Sequence, residues 1–177
     1  MKTEATQWRD ILNILNLALS EMNVQGVSVF RSYQPSKGNF NRPHLLVHRL
    51  FTNSIAYVGE KTVIEEGNPK KILKEIQEIH YQIDAIKKAE PGNTEALTAF
   101  EIARLVKLWL NSPGGGAYIR RLGYGNLRAG DIRQPDFINE TDVWETNPNF
   151  DLILICENDF KTDGKIIGGF MSDIKRL

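Results

Sequence analysis

The stretch EIQEIHYQIDAIK, residues 75–87, constrains the fold more than any other part of the sequence, because its apolar residues fit two periods. The set that recurs at helical spacing is Leu73, Ile76, His80 and Ile83. The set that alternates as in a strand is Ile79, Tyr81, Ile83 and Ala85. The period that prevails decides the fold.

Three features favour a strand over residues 75–87. Isoleucine and tyrosine suit a pleated, half-buried surface. The segment HLLVHRLF after Pro43 is typical of a strand, and a hairpin supplies its nearest neighbour. The change of spacing between Ile76 and Ile79 is one that a β-bulge produces. We therefore predict a strand, with a helix as the alternative. The polar segment GEKTVIEEGNPKK, residues 59–71, is then the tip of a long hairpin or an extended loop.

Periodicity and turn residues predict the first elements of the chain. TEATQWRDILNILNLALSEM predicts an amphipathic helix of about 18 residues. Its apolar face holds Trp8, Ile11, Leu12, Leu15, Ala18, Leu19 and Met22. VSVFRSY then predicts a short strand, and QPSKGNFNRP a loop.

In the second half, Asn93 or Thr94 is expected to cap a helix with Glu95 in its first turn. Its apolar stripe holds Ala96, Leu97, Phe100, Ala103, Leu105, Leu108 and Trp109. NSPGGG is expected to end this helix, and AYIRRLG to form a short helical turn up to Gly123. LRAGDIRQPDFINETDVWE indicates one short strand plus irregular chain, and FDLILICEN, residues 150–158, indicates a clear strand.

This order of elements predicts one α+β domain over residues 1–177. Its core spans about residues 5–158, and residues 159–177 form a C-terminal extension. We expect an antiparallel or mixed β-sheet with a long hairpin, packed by two main α-helices on one face.

The net charge, the cysteine count and the length of the apolar runs restrict the possible partners and the compartment. There are 22 basic and 22 acidic side chains, so the net charge is zero, which argues against a bulk electrostatic grip on nucleic acid or an anionic membrane. Cys156 is the only cysteine, so no internal disulfide is possible. The sequence begins without the features of a signal peptide and has no apolar run near the roughly 18 residues of a membrane span. We expect a protein made in a reducing cytoplasm, with no membrane partner.

No catalytic, cofactor or metal site is predicted. His44 and His48 lie on a strand about 13 Å apart, too far to share one ion. SPGGGAY follows a helix and lacks the Lys-Ser/Thr pair of a phosphate loop. The acidic residues Asp136, Glu140, Asp142 and Glu145 lack EF-hand spacing. Cys156 is expected to be an inert buried thiol. A candidate basic patch contains Arg120, Arg121 and Arg128, with Tyr118 and Tyr124 nearby in sequence.

The pattern from residue 40 to residue 158 resembles the tail terminator, or neck terminator, proteins of tailed bacteriophages. The resemblance rests on RPHLLVHRL, then YQID leading into the helical EALTAFEIARLVKLWL, then YIRRLG, DIRQPDFINETDVWE and FDLILI. The resemblance implies a non-enzymatic virion protein, assembled in the host cytoplasm and located at the tail–neck junction. It would form a ring, usually of six copies, that caps the head-proximal end of the tail tube.

The implied partners are other copies of the chain, the tail tube protein and a neck or head-completion protein. A sheath protein is added if the tail is contractile, and DNA only passes through the lumen. A closed ring needs two different patches on each copy, which edge strands and hairpin tips can provide. We expect the polar hairpin tip to contact a neighbouring copy or the tube. The tip residues are Glu60, Lys61, Glu65, Glu66, Lys70 and Lys71.

Three alternatives remain open. A related tail tube or head–tail connector protein would share this α+β design but would stack or join differently. A small nucleic-acid-binding domain would use Arg120, Arg121 and Arg128 and would bind DNA in a salt-dependent way. A small hydrolase is opposed by the missing nucleophile–base pair.

Overall fold

The computed structural model describes residues 2–32, 43–65, 68–87, 97–138 and 144–163, and it confirms the predicted α+β class. The helices in these ranges are α1 (Glu4–Glu21), α2 (Ala99–Leu110) and α3 (Pro113–Arg121). The strands are β1 (Ser28–Arg31), β2 (His44–Glu65), β3 (Asn68–Ile86), β4 (Tyr124–Ala129), β5 (Asp136–Ile138), β6 (Trp144–Thr146) and β7 (Asn149–Asp163).

Five of these strands form one mixed sheet in the order β1-β2-β3-β7-β4. β1 runs parallel to β2, and the other neighbours are antiparallel. β5 and β6 form a separate antiparallel pair. The expectation of one short strand plus irregular chain in LRAGDIRQPDFINETDVWE was therefore wrong. β4 begins earlier, at Tyr124, and two further short strands follow it.

The ambiguous stretch forms β3, so the strand prediction is confirmed and the helical alternative is wrong. β3 is paired on both sides, by β2 and by β7, and this leaves only its two faces to be packed. Ile79, Tyr81 and Ile83 are fully buried on one face. The expected bulge in this strand is absent, because β3 pairs with β7 without a break from Lys70 to Asp84. The irregularities lie in β2 instead, between residues 49 and 59.

The three helices cover one face of the five-stranded sheet. Thr3 caps α1 by accepting a hydrogen bond from the amide of Thr6, at 3.2 Å. Trp8 of α1 meets the ring of Tyr81 edge-on, with centroids 5.8 Å apart. The predicted amphipathic helix of about 18 residues is confirmed. The helices and the even-numbered residues of β7 enclose the core, which includes Ile11, Leu15, Val106, Phe150, Leu152 and Leu154.

The start of α2 differs from the prediction. Thr98 and Glu101 form a capping box: the Thr98 hydroxyl accepts from the Glu101 amide at 3.2 Å, and the Glu101 carboxylate accepts from the Thr98 amide at 2.7 Å. Leu97 and Thr98 are not helical, so a cap at Asn93 or Thr94 is wrong for this helix. Residues 88–96 lie outside the described residues.

The glycine-rich run NSPGGG starts a helix as well as ending one. Ser112 caps α3 by accepting a hydrogen bond from the Gly115 amide at 3.1 Å, and Pro113 occupies the first turn. A Cβ at Gly115 would collide with the carbonyl oxygen of Trp109 and lie 3.0 Å from its carbonyl carbon. The connection between α2 and α3 is therefore a tight corner, in which only glycine allows the close approach.

Candidate assembly surfaces

A three-stranded arm extends beyond the helices. We define the arm as residues 52–65 of β2, 68–78 of β3 and 157–163 of β7. Ile79 is fully buried, whereas residues 69–78 are all half-buried. Asn158 of β7, which pairs with Glu75, is still buried, so β3 continues for about 20 Å past this end of the core. β7 accompanies it to the pairing of Asp163 with Lys70, past the predicted strand end at residue 158. Residues 159–163 of the expected extension are therefore strand, and residues 164–177 lie outside the described residues.

The polar hairpin tip is the distal end of this arm, and the alternative of an extended loop is wrong. Lys71 Nζ lies 2.6 Å from Glu60 Oε1, and Lys70 Nζ lies 3.2 Å from Glu65 Oε2. Each pair is substantially exposed, so each contributes about 0–1 kcal/mol to the free energy of unfolding. These pairs bring four of the predicted tip residues together across β2 and β3. Lys61 is exposed in β2, and Glu66 lies outside the described residues.

Both outer edges of the arm lack a neighbouring strand in the described part of the chain. β1 covers β2 only over His44–Val47, and β4 covers β7 only over Leu152–Cys156. The β2 edge has two sections. Register shifts occur between Arg49 and Gly59, whereas Gly59–Glu65 pairs with β3 one residue to one. Such bulges twist an edge away from further strand addition, so the regular distal section is the better strand acceptor.

A buried polar cluster lies at the root of the arm. Asp10 of α1 is 5% exposed, and its Oδ2 lies 2.6 Å from Lys2 Nζ and accepts a hydrogen bond from the Tyr124 hydroxyl at 3.0 Å. Lys2 Nζ also lies 3.7 Å from the centre of the Tyr124 ring. The amide of Lys2 donates to Asn158 Oδ1, and Asn158 Nδ2 donates to Gln77 Oε1. The cluster thus joins the N-terminal segment, α1, β4 and the first arm residues.

Burial controls the ionisable groups near this cluster. It raises the pKa of the Tyr81 hydroxyl to about 12, and it raises the pKa of Tyr124, where the neighbouring Asp10 carboxylate adds to the effect. Cys156 is buried in β7, as predicted, and burial also raises the pKa of its thiol. These groups are protonated and packed at neutral pH, so they act as parts of the core.

The predicted basic patch is divided between two elements. Arg120 and Arg121 occupy the last turn of α3, and the Arg121 guanidinium lies 5.4 Å from the centre of the Tyr118 ring. Arg128 lies on β4, where it helps Lys107 to lower the pKa of the Asp131 carboxyl. Tyr124 is buried with its hydroxyl on Asp10, so it is not available to stack on a base. The use of the three arginines as one patch stays a prediction.

The histidines and the acidic residues lie in ordinary structural surroundings. His44 is buried against Phe30, and His48 Nε2 lies 2.8 Å from Asp84 Oδ2. Within the described ranges, no group of three or more His, Cys, Asp or Glu side chains is placed to hold a metal ion. Asp136 and Glu145 lie in β5 and β6, whereas Glu140 and Asp142 fall outside the described residues. No helix in the described part of the chain has the length and apolar character needed to cross a bilayer.

Two groups of exposed apolar side chains form surfaces that the sequence pattern did not indicate. The helix patch consists of Leu97, Phe100 and Leu108, which are 38%, 39% and 57% exposed. The strand patch consists of Leu50, Phe51 and Ile55 of β2, which are 48%, 47% and 49% exposed. The prediction placed Leu97, Phe100 and Leu108 on the apolar stripe of this helix, and the structure exposes all three. The buried side of α2 is formed instead by Ala99, Ile102, Ala103, Val106, Trp109 and Leu110. The sequence did contain a sign of the helix patch, because α2 has more apolar residues than one face of a helix can hold.

These features define an α+β protein in which a helix-covered sheet carries a long arm, and the outer edges of the arm have no neighbouring strand among the described residues. A comparison with protein families matches residues 9–165 to the family described as E217 gateway protein gp29. Because this match covers most of the 177 residues, the chain belongs to the E217 gateway protein gp29 family. It is a bacteriophage structural protein of the head–tail gateway class. A search of curated proteins gave no match.

Proposed function

We propose that this protein forms a ring, of six copies, at the head-proximal end of the phage tail tube, where it ends tube polymerisation and joins the tail to the neck. The ring is a structural part of the virion, assembled in the host cytoplasm, and DNA passes through its lumen. The observation that carries the proposal is a long arm on a member of a phage gateway family, with two different outer edges that no other described strand covers.

A closed ring requires a heterologous interface, in which one patch of a copy meets a different patch of the next copy. The arm supplies two such patches. One is the regular β2 edge over residues 60–65, and the other is the β7 edge over residues 157–163. Unpaired backbone groups on one edge can bond to those on the other, so that neighbouring arms form a continuous sheet.

The resemblance to tail terminators and the membership of the gateway family support the partners that we propose above and below the ring. The tail tube protein contacts one side of the ring, and a neck, head-completion or connector protein contacts the other. A sheath protein is a further partner in a contractile tail. The protein carries out no chemical reaction in this role.

Negative-stain electron microscopy of the purified protein, alone and mixed with tail tubes from the same phage, tests the proposal. Rings, or a discrete cap on one end of each tube, are the expected result. Open stacks of rings would identify a tube protein instead. A monomer that leaves the tubes unchanged would refute the proposal, and salt-dependent DNA binding by that monomer would favour the alternative based on the three arginines.

A shortened arm tests the role of the edges. Deleting residues 62–65 together with 68–71 brings Lys61 and Ile72, which are already paired, next to residues 66 and 67. The connection between the strands and the register of the rest of the hairpin are thus preserved. We expect this variant to fold, since the core begins at Ile79, but to lose ring assembly.

The matched control keeps the arm length and removes the tip charge pairs, as Lys70→Ala with Lys71→Ala. We expect this control to assemble, because exposed ion pairs contribute little. Loss of rings in the control would show that the tip charges are needed for assembly. Retention of rings in the shortened variant would show that the distal strand edge is not needed.

A further inference from the structure

The helix patch and Phe51 of the strand patch lie on opposite sides of the sheet. Phe51 pairs across the strands with His80, which alternates with Ile79 and Tyr81 along β3. Ile79 and Tyr81 point into the helix-covered core, so Phe51 lies on the other face, stacked on the His80 ring with centroids 4.1 Å apart. The helix patch lies on the outer side of α2. One copy therefore cannot cover its helix patch with its own strand patch.

The helix patch forms a continuous stripe that contains an exposed cation. Leu97, Phe100, Arg104 and Leu108 follow one another three or four residues apart, and Arg104 is exposed. Lys87 lies close by, since its ammonium donates to the Leu97 carbonyl oxygen at 2.8 Å. Among the described residues, the acidic side chain on this part of α2 is Glu101, which accepts hydrogen bonds from Thr98 in the capping box. Arg104 is thus the charge that the stripe itself presents to solvent.

The strand patch lies in the bulged section of β2 and has one carboxylate beside it. Register shifts fall between Arg49 and Phe51 and between Ser54 and Ala56, so Leu50 and Ile55 are the extra residues. The bulges interrupt the regular spacing of backbone groups along this edge, so we expect contacts here to use side chains. On the face that carries Phe51, Glu78 lies opposite Asn53 and 3.4 Å from His80.

We propose that the helix patch of one copy packs on the strand patch of the next copy in the ring, with Arg104 facing the Glu78 side. The inference rests on the proposed ring and names a side-chain interface that is separate from the arm edges. Three considerations select a second copy as the occupant. The two apolar patches are of similar exposure, Arg104 and Glu78 beside them carry opposite charges, and the helix patch and Phe51 lie on opposite sides of the sheet. A contact between unlike patches on opposite sides is the kind that closes a ring.

Disulfide trapping between two variants tests this interface. Leu108→Cys and Phe51→Cys are prepared separately and mixed in equal amounts, alone and with tail tubes, under mild oxidation. Native Cys156 does not interfere, because it is 1% exposed and burial raises the pKa of its thiol. We expect the mixture to form a covalent dimer at least tenfold more than either variant alone.

The matched control pairs Leu108→Cys with Ile64→Cys, which is 78% exposed on β2 but lies outside the strand patch. Rings seen by microscopy without trapping of the 108–51 pair would overturn the inference and leave the ring proposal intact. Trapping of Leu108→Cys to itself, or equal trapping by the control pair, would also overturn it. Absence of rings both with and without tubes would overturn the ring proposal and this inference together.

Discussion

Replacing Asp10 with alanine tests the polar cluster at the arm root. The change removes the carboxylate that Lys2 and Tyr124 share, at 2.6 and 3.0 Å. Tyr124 is 2% exposed, so its hydroxyl would be left in the core without its acceptor, at a cost of about 1–3 kcal/mol. The Lys2 side chain is 22% exposed and can recover water, so its lost ion pair adds only about 0–1 kcal/mol.

We therefore expect Asp10→Ala to lower the free energy of unfolding by about 1–4 kcal/mol, at about 2–4 °C of Tm for each kcal/mol in a chain of this size. Equilibrium urea denaturation and a thermal melt measure the two quantities. Tyr124→Phe removes the donor of the hydrogen bond whose acceptor is lost in Asp10→Ala. The double variant should therefore lose less free energy of unfolding than the sum of the two single variants.

The control is Asp131→Ala, which breaks the exposed pair with Lys107 and should leave the denaturation midpoint unchanged. If Asp10→Ala and Asp131→Ala gave the same midpoint, the cluster would not stabilise the arm root, and the reasoning would be refuted.

Two further predictions concern the core. Gly115→Ala should cost about 1–3 kcal/mol, because the new methyl group meets the Trp109 carbonyl, whereas Gly114→Ala finds only Ser112 Oγ at 3.8 Å and should be neutral or stabilising by up to about 1 kcal/mol. Equal midpoints for the two alanine variants in urea would contradict the tight corner. Because burial raises the pKa of Tyr81 to about 12, the folded state holds this proton more tightly than the unfolded chain does. Its contribution is fully present below about pH 10 and is lost as the pH rises toward 12, so Tyr81→Phe should flatten the fall in stability over that window. Denaturation midpoints measured across this range check the slope, and an unchanged slope in the variant would refute the assignment.

The sequence predicted an element correctly where its local periodicity agrees with the way that element packs in the folded chain. The period of the first helix and the alternation of Ile79, Tyr81 and Ile83 indicated elements that the structure confirms. Pattern alone misplaced the start of α2, since Thr98 with Glu101 forms a complete capping box and Asn93 and Thr94 were only plausible caps. It also treated NSPGGG as a break, although Ser112 and Pro113 are a cap and a first-turn residue.

The candidate surfaces were only partly predictable. The tip charges were found because a polar, glycine-containing segment between two strands marks a hairpin end. The two apolar patches were missed, because sequence periodicity does not distinguish a side chain that meets the core from one that meets solvent or another chain.

The sequence by itself determined the α+β class, the first helix, the central strand and, through its family pattern, the bacteriophage class of the protein. These are properties of short-range periodicity and of the order of elements. Only the tertiary structure decided that β7 runs beside β3 to form an arm, that β1 joins β2 in parallel, and which side of α2 is buried. Each of these depends on a partner distant in sequence, because strand pairing and helix packing are set by the neighbour that covers a surface as much as by the residues on it.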